Sequence, residues 1–265
     1  MKDEKLFHEL AADKEIFAAA RDGYFSFYYS GNSIFEYQKA KGFTTHQKFA
    51  LIFPDIPKYV KEAEAFKGKF SDDFAKDYRK IKTNVRLYRK EERASVNLIA
   101  TNNSYKGHKP VVVLDIEKTI ISDFRQIELD MVLLKGGSLR FVEAKLYSNS
   151  KELFSLNVFK KQIAEYEDCL RKNKDDLLTY YGQTVSKLNS LFNLQLQSPS
   201  HIEDKIVVLI TKYEKVQWDH RLKSLLQNNE LQGCLYYAVG DPAQCDIERL
   251  YHGKKCGAQE ENLND

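Results

Sequence analysis

Four charged side chains, Glu128, Asp130, Glu143 and Lys145, stand inside residues 125–145, RQIELDMVLLKGGSLRFVEAK, a segment that otherwise reads as two hydrophobic strands joined by Gly136-Gly137. Side chains alternate along a strand, so Glu128 and Asp130 share one face of the first, and Glu143 and Lys145 share one face of the second. The tight hairpin makes the strands neighbours, which lets the charges converge. A buried carboxylate with nothing to meet is costly, so acids on core strands imply a cation or a metal. An Asp and a Glu aimed at one point can hold Mg²⁺, which prefers hard oxygen ligands and keeps positions for water and a substrate phosphate. Such an ion acidifies water and neutralises charge developing on a phosphoryl oxygen. A lysine beside it can orient the attacking water, and the chemistry that results is phosphodiester hydrolysis. The competing interpretation is an ion pair of Lys145 with Asp130 or Glu143 that stitches the sheet together.

The rest of the chain supplies the elements that must position these groups. EKLFHELAADKEIFAAARDG has helical spacing up to Gly23, and YFSFYYSGNSIFEYQ alternates about Ser-Gly-Asn as a hairpin. Pro54 and Pro57 break regular structure and residues 67–71 offer a loop, which predicts a helix-plus-hairpin unit over 1–71. From residue 72 a basic helix precedes three strands, VVVLDI, QIELDMVLL and LRFVEAKLY. Helices FKKQIAEYEDCLRKN and LLTYYGQTVSKLNSLF, strand KIVVLITKY, helix WDHRLKSLLQNN and strand GCLYYAV follow. This order predicts an α/β layer structure with a mixed central sheet over 72–244, and a polar, poorly ordered tail over 245–265. Asp115 and Glu117 share a face of the first strand. Solvation at the hairpin edge is their expected role, and an extra metal ligand is the alternative. Glu128 is either a further ligand or an outer partner of one.

Residues 76–93, KDYRKIKTNVRLYRKEER, hold eight Lys/Arg against three acids. Arg79, Lys82, Arg86, Arg89 and Arg93 recur at three- and four-residue intervals, which on one continuous helix makes a cationic stripe. A solvated helix face is the ordinary meaning of such a run.

Asp130 on the second strand, Glu143-Ala144-Lys145 on the third and a helix directly after them resemble the PD-(D/E)XK nuclease superfamily, the restriction-endonuclease-like fold. Its common core of helix, three strands, helix and strand matches residues from about 72 to 213. Gln162 and Tyr166, in QIAEY, reproduce the QxxxY pattern of RecB-type nucleases, and their i,i+4 spacing puts both on one helical face. No proline precedes Asp130, unlike many members, and residues 1–71 lie outside the resemblance. The resemblance implies a nuclease in which Asp130 and Glu143 bind Mg²⁺, with Mn²⁺ as a substitute, and Lys145 assists the attacking water. Gln162 and Tyr166 would support the site or contact substrate, and Arg79, Arg86 and Arg93 would track a phosphate backbone. Many members draw another acid from the helix before the strands. The apolar rhythm Phe74, Tyr78, Ile81, Val85, Tyr88 continues onto Glu92, which is therefore expected at the site while Glu91 points to solvent. A salt bridge from Glu92, to Lys145 for instance, is the alternative.

Composition bounds these readings. A chain of 265 residues, 43% hydrophobic and 12% aromatic, can bury a sizeable core. No segment reaches the roughly 18 uninterrupted apolar residues of a membrane helix, and MKDEKLFHEL lacks the apolar run of a signal peptide, so a cytoplasmic protein with no membrane partner is expected. Cys169, Cys234, Cys245 and Cys256 form no CxxC pair and are expected as free thiols; with His252 they match no common zinc spacing. The net charge of 41 − 38 = +3 is too small to argue for nucleic acid by itself. DNA is expected over RNA as the partner, and a homodimer is left open. The competing functional class is a catalytically inactive nucleic-acid-binding or scaffold protein of the same fold.

Overall fold

The computed structural model describes residues 2–46, 49, 74–122, 125–148 and 155–256. The expected break at Pro54 and Pro57 and the loop at 67–71 lie outside them. The chain divides after Asn102 into two compact units, whereas the sequence reading puts its boundary at residue 71.

The N-terminal unit is an antiparallel meander in the order β1 (Phe17–Ala20), β2 (Phe25–Tyr29), β3 (Asn32–Gln38) and β4 (Gly42–Thr44), with helices α1 (Lys2–Ala12), α2 (Phe74–Arg86) and α3 (Glu91–Asn102). Its core is aromatic. Phe7 of α1 meets Phe25 and Phe27 edge-to-face at centroid distances of 4.9 and 5.6 Å, a favoured geometry for ring quadrupoles. The expected N-terminal helix stops at Ala12, and FAAA, read as its continuation, is strand β1, with Phe17 opposite Tyr28 and Ala20 opposite Phe25. Alanine is the best helix former, but propensity is a weak determinant beside burial. Here all four side chains are buried and both α1 and α3 pack on β1, so tertiary burial overrides propensity. The helices assigned by sequence to the second domain close this unit instead: Ile81 and Val85 of α2 and Val96 and Ile99 of α3 are fully buried.

The basic stripe does not run on one helix. α2 ends at Arg86, the chain turns through i→i+3 bonds from Leu87, Tyr88 and Arg89, and α3 restarts with Glu91 and Glu92 in its first turn, where acids complement the helix dipole. The rhythm that carried the buried face from Phe74 to Glu92 is thereby interrupted. Part of the stripe also serves the fold. Lys82 Nζ lies 2.8 Å from Asp13 and 2.7 Å from Glu15, and Arg86 donates through Nε and Nη2 to Tyr29 Oη at 2.9 and 2.7 Å. Burial pushes the Asp13 carboxyl up, but hydrogen bonds from Lys82 and Tyr78 outweigh it and hold the group below its usual 3.8.

The C-terminal unit is a seven-stranded mixed sheet. Strands β5 (Val111–Ser122), β6 (Arg125–Lys135) and β7 (Ser138–Leu146) form an antiparallel meander, and β9 (Val207–Thr211) and β10 (Leu235–Val239) follow in parallel. The short β11 (Lys254–Lys255) closes one edge and β8 (His201–Ile202) pairs with the start of β7. The β6–β7 hairpin turns through Gly136 and Gly137, φ 52° and 79°, as their spacing predicts. Two long helices, α4 (Leu156–Lys172) and α5 (Lys174–Phe192), cover the face to which Phe141 points, since Phe141 meets Tyr181 of α5. Arg140 points to the other face, beneath Tyr251 of α6 (Ile247–His252), where its guanidinium pairs with Glu203 at 3.1 Å. Residues 245–256, read from sequence as part of a poorly ordered tail, are ordered: Asp246 caps α6 by accepting from Glu248 and Arg249 N–H groups, and Cys256 N–H bonds Cys234 O. WDHRLKSLLQNN is a helical run carrying one π turn over Trp218–Leu222.

Two stability predictions follow from the N-terminal unit. Gly31 closes the β2–β3 turn at φ 78°, and a Cβ there would lie 2.5 Å from the Arg93 carbonyl carbon. Gly31→Ala should therefore cost about 1–3 kcal/mol in urea melts. Asp13 is depressed in the folded state, so its contribution is complete above its unfolded value of 3.8 and is lost as pH falls through the lower folded value. Asp13→Asn should be less stable than the parent at neutral pH and should lose less stability than the parent between about pH 4 and pH 2.

Candidate functional site

Central burial and a break in the ladder place the site. β7 lies between β6 and β9, and its odd-numbered residues Phe141, Glu143 and Lys145 face the two long helices. The β6–β7 ladder ends at Met131–Val142, so the next opposed positions, Asp130 and Glu143, fall where β7 leaves β6 and pairs with β9 through Glu143–Val208 and Lys145–Ile210. There Asp130 Oδ2 accepts the Ala144 N–H at 2.7 Å, a side chain standing in for the missing ladder bond.

Glu143 and Lys145 are almost wholly buried, with side chains 7% and 8% exposed, and pair at 2.9 Å through Glu143 Oε1. The same oxygen accepts from Gln162 Nε2 at 3.0 Å, and Gln162 Nε2 also lies 3.0 Å from Tyr166 Oη. One turn of α4 thus carries both members of QxxxY to the strand that carries ExK. Burial raises the Tyr166 pKa, and the charges of Glu143 and Asp130 raise it further against the opposing effects of Gln162 and Lys145. The phenol keeps its proton at neutral pH and can donate it. Asp130, Glu143, Lys145, Gln162 and Tyr166 form one electrostatic cluster.

The first strand differs from expectation. A bulge at Leu114 shifts the β5–β6 register between Val113 and Asp115, and it turns Asp115 inward. Instead of meeting solvent, Asp115 is fully buried, accepts its neighbour's N–H from Ile116 at 2.8 Å and accepts from Tyr181 Oη at 3.2 Å. Glu117 falls opposite Asp130, between the pairs Ile116–Met131 and Lys118–Leu129, and adopts φ 52°, a left-handed conformation uncommon for a glutamate inside a strand. The register therefore sets Glu117, Asp130 and Glu143 in a row across three strands. Glu128 is exposed opposite Thr119. A bulge has no sequence signature here, so period-two counting could not place Asp115 and Glu117 correctly.

The other expected site residues belong to the N-terminal unit. Glu91 is exposed and pairs with Arg89 at 3.1 Å, Glu92 is half-buried in the first turn of α3, Arg79 is exposed on α2, and Arg93 is half-buried on α3. Among the described residues no three His, Cys, Asp or Glu side chains form a metal cage, so a cation at the ExK strand would have Asp130 and Glu143 as its protein carboxylates and solvent or substrate for the rest. Among the described residues, too, no helix is long and apolar enough to cross a membrane. No protein-family model, curated protein or solved structure matches the chain.

The buried pair makes a direct prediction. Lys145→Met strands the Glu143 carboxylate and should cost about 3 kcal/mol, while adding Glu143→Leu should restore most of it. Denaturation followed by the fluorescence of Trp218, the single tryptophan and a member of the same unit, measures both.

Proposed function

We propose that the C-terminal unit is a divalent-metal-dependent nuclease of the PD-(D/E)XK type, hydrolysing phosphodiester bonds, with DNA preferred over RNA. The observation that carries this reading is the pair of hydrogen bonds from Gln162 to Glu143 and Tyr166, which joins the QxxxY helix to the ExK strand beside Asp130. A structural ion pair accounts for Glu143, Lys145 and Gln162 as the donor that completes them; it does not by itself call for the phenol of Tyr166 in the field of two carboxylates, Glu143 and Asp130.

The donor set suits Mg²⁺ or Mn²⁺. Asp130 and Glu143 offer hard oxygens from adjacent strands. When bound, the ion would lower the pKa of a water and neutralise charge on the phosphoryl group. Lys145 would orient that water, or hold charge on the phosphorane, from its anchored place two residues along the strand. Gln162 would fix the Glu143 rotamer, and Tyr166 would donate its phenol proton toward a phosphate oxygen. In this reading Arg79, Arg86 and Arg93 of the N-terminal unit contribute to phosphate binding.

The test is cleavage of DNA and RNA substrates in Mg²⁺ or Mn²⁺, with binding measured in Ca²⁺. Asp130→Asn and Glu143→Gln should each lower cleavage about a thousandfold, the loss of several kcal/mol of charge stabilisation. Gln162→Leu, acting through Glu143, should lower it about 10- to 100-fold. Parent-like cleavage by Glu143→Gln would refute the assignment, and binding without cleavage in the parent would leave an inactive nucleic-acid-binding protein.

A further inference from the structure

The N-terminal unit holds a second polar site, separate in sequence from the ExK cluster. A cleft of about 590 Å³, a size that accommodates a nucleotide, opens between the β2–β3 turn, the α2–α3 connection and the residues after α1. Lys14, Arg86, Arg89 and Asn97 line it, with Tyr29 and Glu15.

The charges of this lining are unequally satisfied. Glu15 is engaged by Lys82 at 2.7 Å, and Arg89 by Glu91 at 3.1 Å. Arg86 is held by the Tyr29 phenol, not by a carboxylate, so its charge is fixed in direction without being paired. Lys14 is exposed and makes no ion pair among the described residues. Two cations thus face the cleft with no carboxylate bound to either.

Asn97 adds an independent observation. It is 2% exposed, and its Oδ1 accepts the Gly31 N–H at 2.9 Å. Since that donor settles which amide atom is oxygen, Nδ2 is the atom left over, and it donates to nothing among the described residues. Asn97 lines the cleft, so this donor is available there to a ligand oxygen or to water. The cleft offers Lys14 Nζ, the remaining Arg86 N–H and Asn97 Nδ2 as donors, two of them positively charged, beside the one carboxylate of its lining, Glu15, which Lys82 engages. Their complement is a dense cluster of acceptor oxygens bearing negative charge, which a phosphate supplies.

We propose that this cleft binds the phosphate of a nucleotide, either free or at the 5′ end of a strand. Arg86 and Lys14 meet the charge, and Asn97 Nδ2 donates to an oxygen. The site needs no metal and does not rest on the nuclease reading.

The test is titration of the full chain, in chelator, with adenosine monophosphate, with adenosine, and with a short oligonucleotide carrying or lacking a 5′-phosphate. Binding of either phosphorylated probe at least about tenfold tighter than its dephosphorylated counterpart is expected, the effect of one hydrogen bond to a charged group. The better of the two phosphorylated probes identifies the source. Lys14→Gln, at an exposed position that leaves folding intact, should weaken binding about tenfold. Asn97→Asp keeps the acceptor for Gly31 while replacing the donor by a carboxylate, and should weaken binding at least as much. Equal affinity with and without phosphate, or parent-like affinity in Lys14→Gln, would overturn the proposal. Glu143→Gln, which removes cleavage under the nuclease reading, should bind these probes like the parent, so failure of one idea is distinguishable from failure of the other.

Discussion

A carboxylate and an ammonium sealed together on the central strand of a sheet constrain everything around them. Glu143 and Lys145 are both nearly inaccessible, and desolvating two charges costs several kcal/mol per ion before their attraction returns any of it. The cost is tolerable only when further donors and acceptors complete the pair, and Gln162 does this from α4. The helix must therefore lie with that face down on β7, and the sheet must be wide enough to keep β7 away from an edge. Asp130 enters because β7 exchanges β6 for β9 at this point, leaving the Ala144 N–H for a side chain to accept.

The same locality makes the cluster a candidate for chemistry. Where a ladder opens, backbone groups are released and side chains from two strands can approach a common ligand. β5 contributes strain to the same row: its bulge at Leu114 buries Asp115 against Tyr181, and Glu117 holds a left-handed φ opposite Asp130. Strained glutamates persist only when their surroundings fix them, and such positions concentrate at functional sites.

Cationic residues in the N-terminal unit divide between two tasks. Lys82 is consumed by Asp13, Glu15 and the rings of Tyr29 and Tyr78, and so acts as a structural clasp between the loop after α1 and α2. Arg86 is oriented by a phenol that leaves its charge available, and Lys14 stands at the same cleft. A count of positive charges along residues 76–93 does not distinguish these roles. The difference lies in which acids the fold brings within reach.

Sequence by itself determined the strong local features. The Gly136-Gly137 hairpin, the strands on either side of it, the two long helices and the i,i+4 relation of Gln162 to Tyr166 follow from turn chemistry and periodicity, which act over a few residues. The shared face of Glu143 and Lys145 follows from alternation along one strand, and their neighbourhood with Asp130 from the tight hairpin that fixes register, whereas their ion pair was only the competing interpretation of the sequence. Tertiary structure decided the rest. FAAA is a strand because α1 and α3 bury it, the basic stripe breaks at Leu87 because Glu91 and Glu92 start a new helix, and α2 and α3 join the first unit because their apolar faces cover its meander. Asp115 turned inward because an inserted residue shifted the register, and residues 245–256 became ordered because Asp246 caps α6 and β11 finds β10. The burial of FAAA and of the α2 and α3 faces and the pairing of β11 with β10 depend on partners far away in the chain, and a short window of sequence carries no record of which distant surface will arrive to bury it.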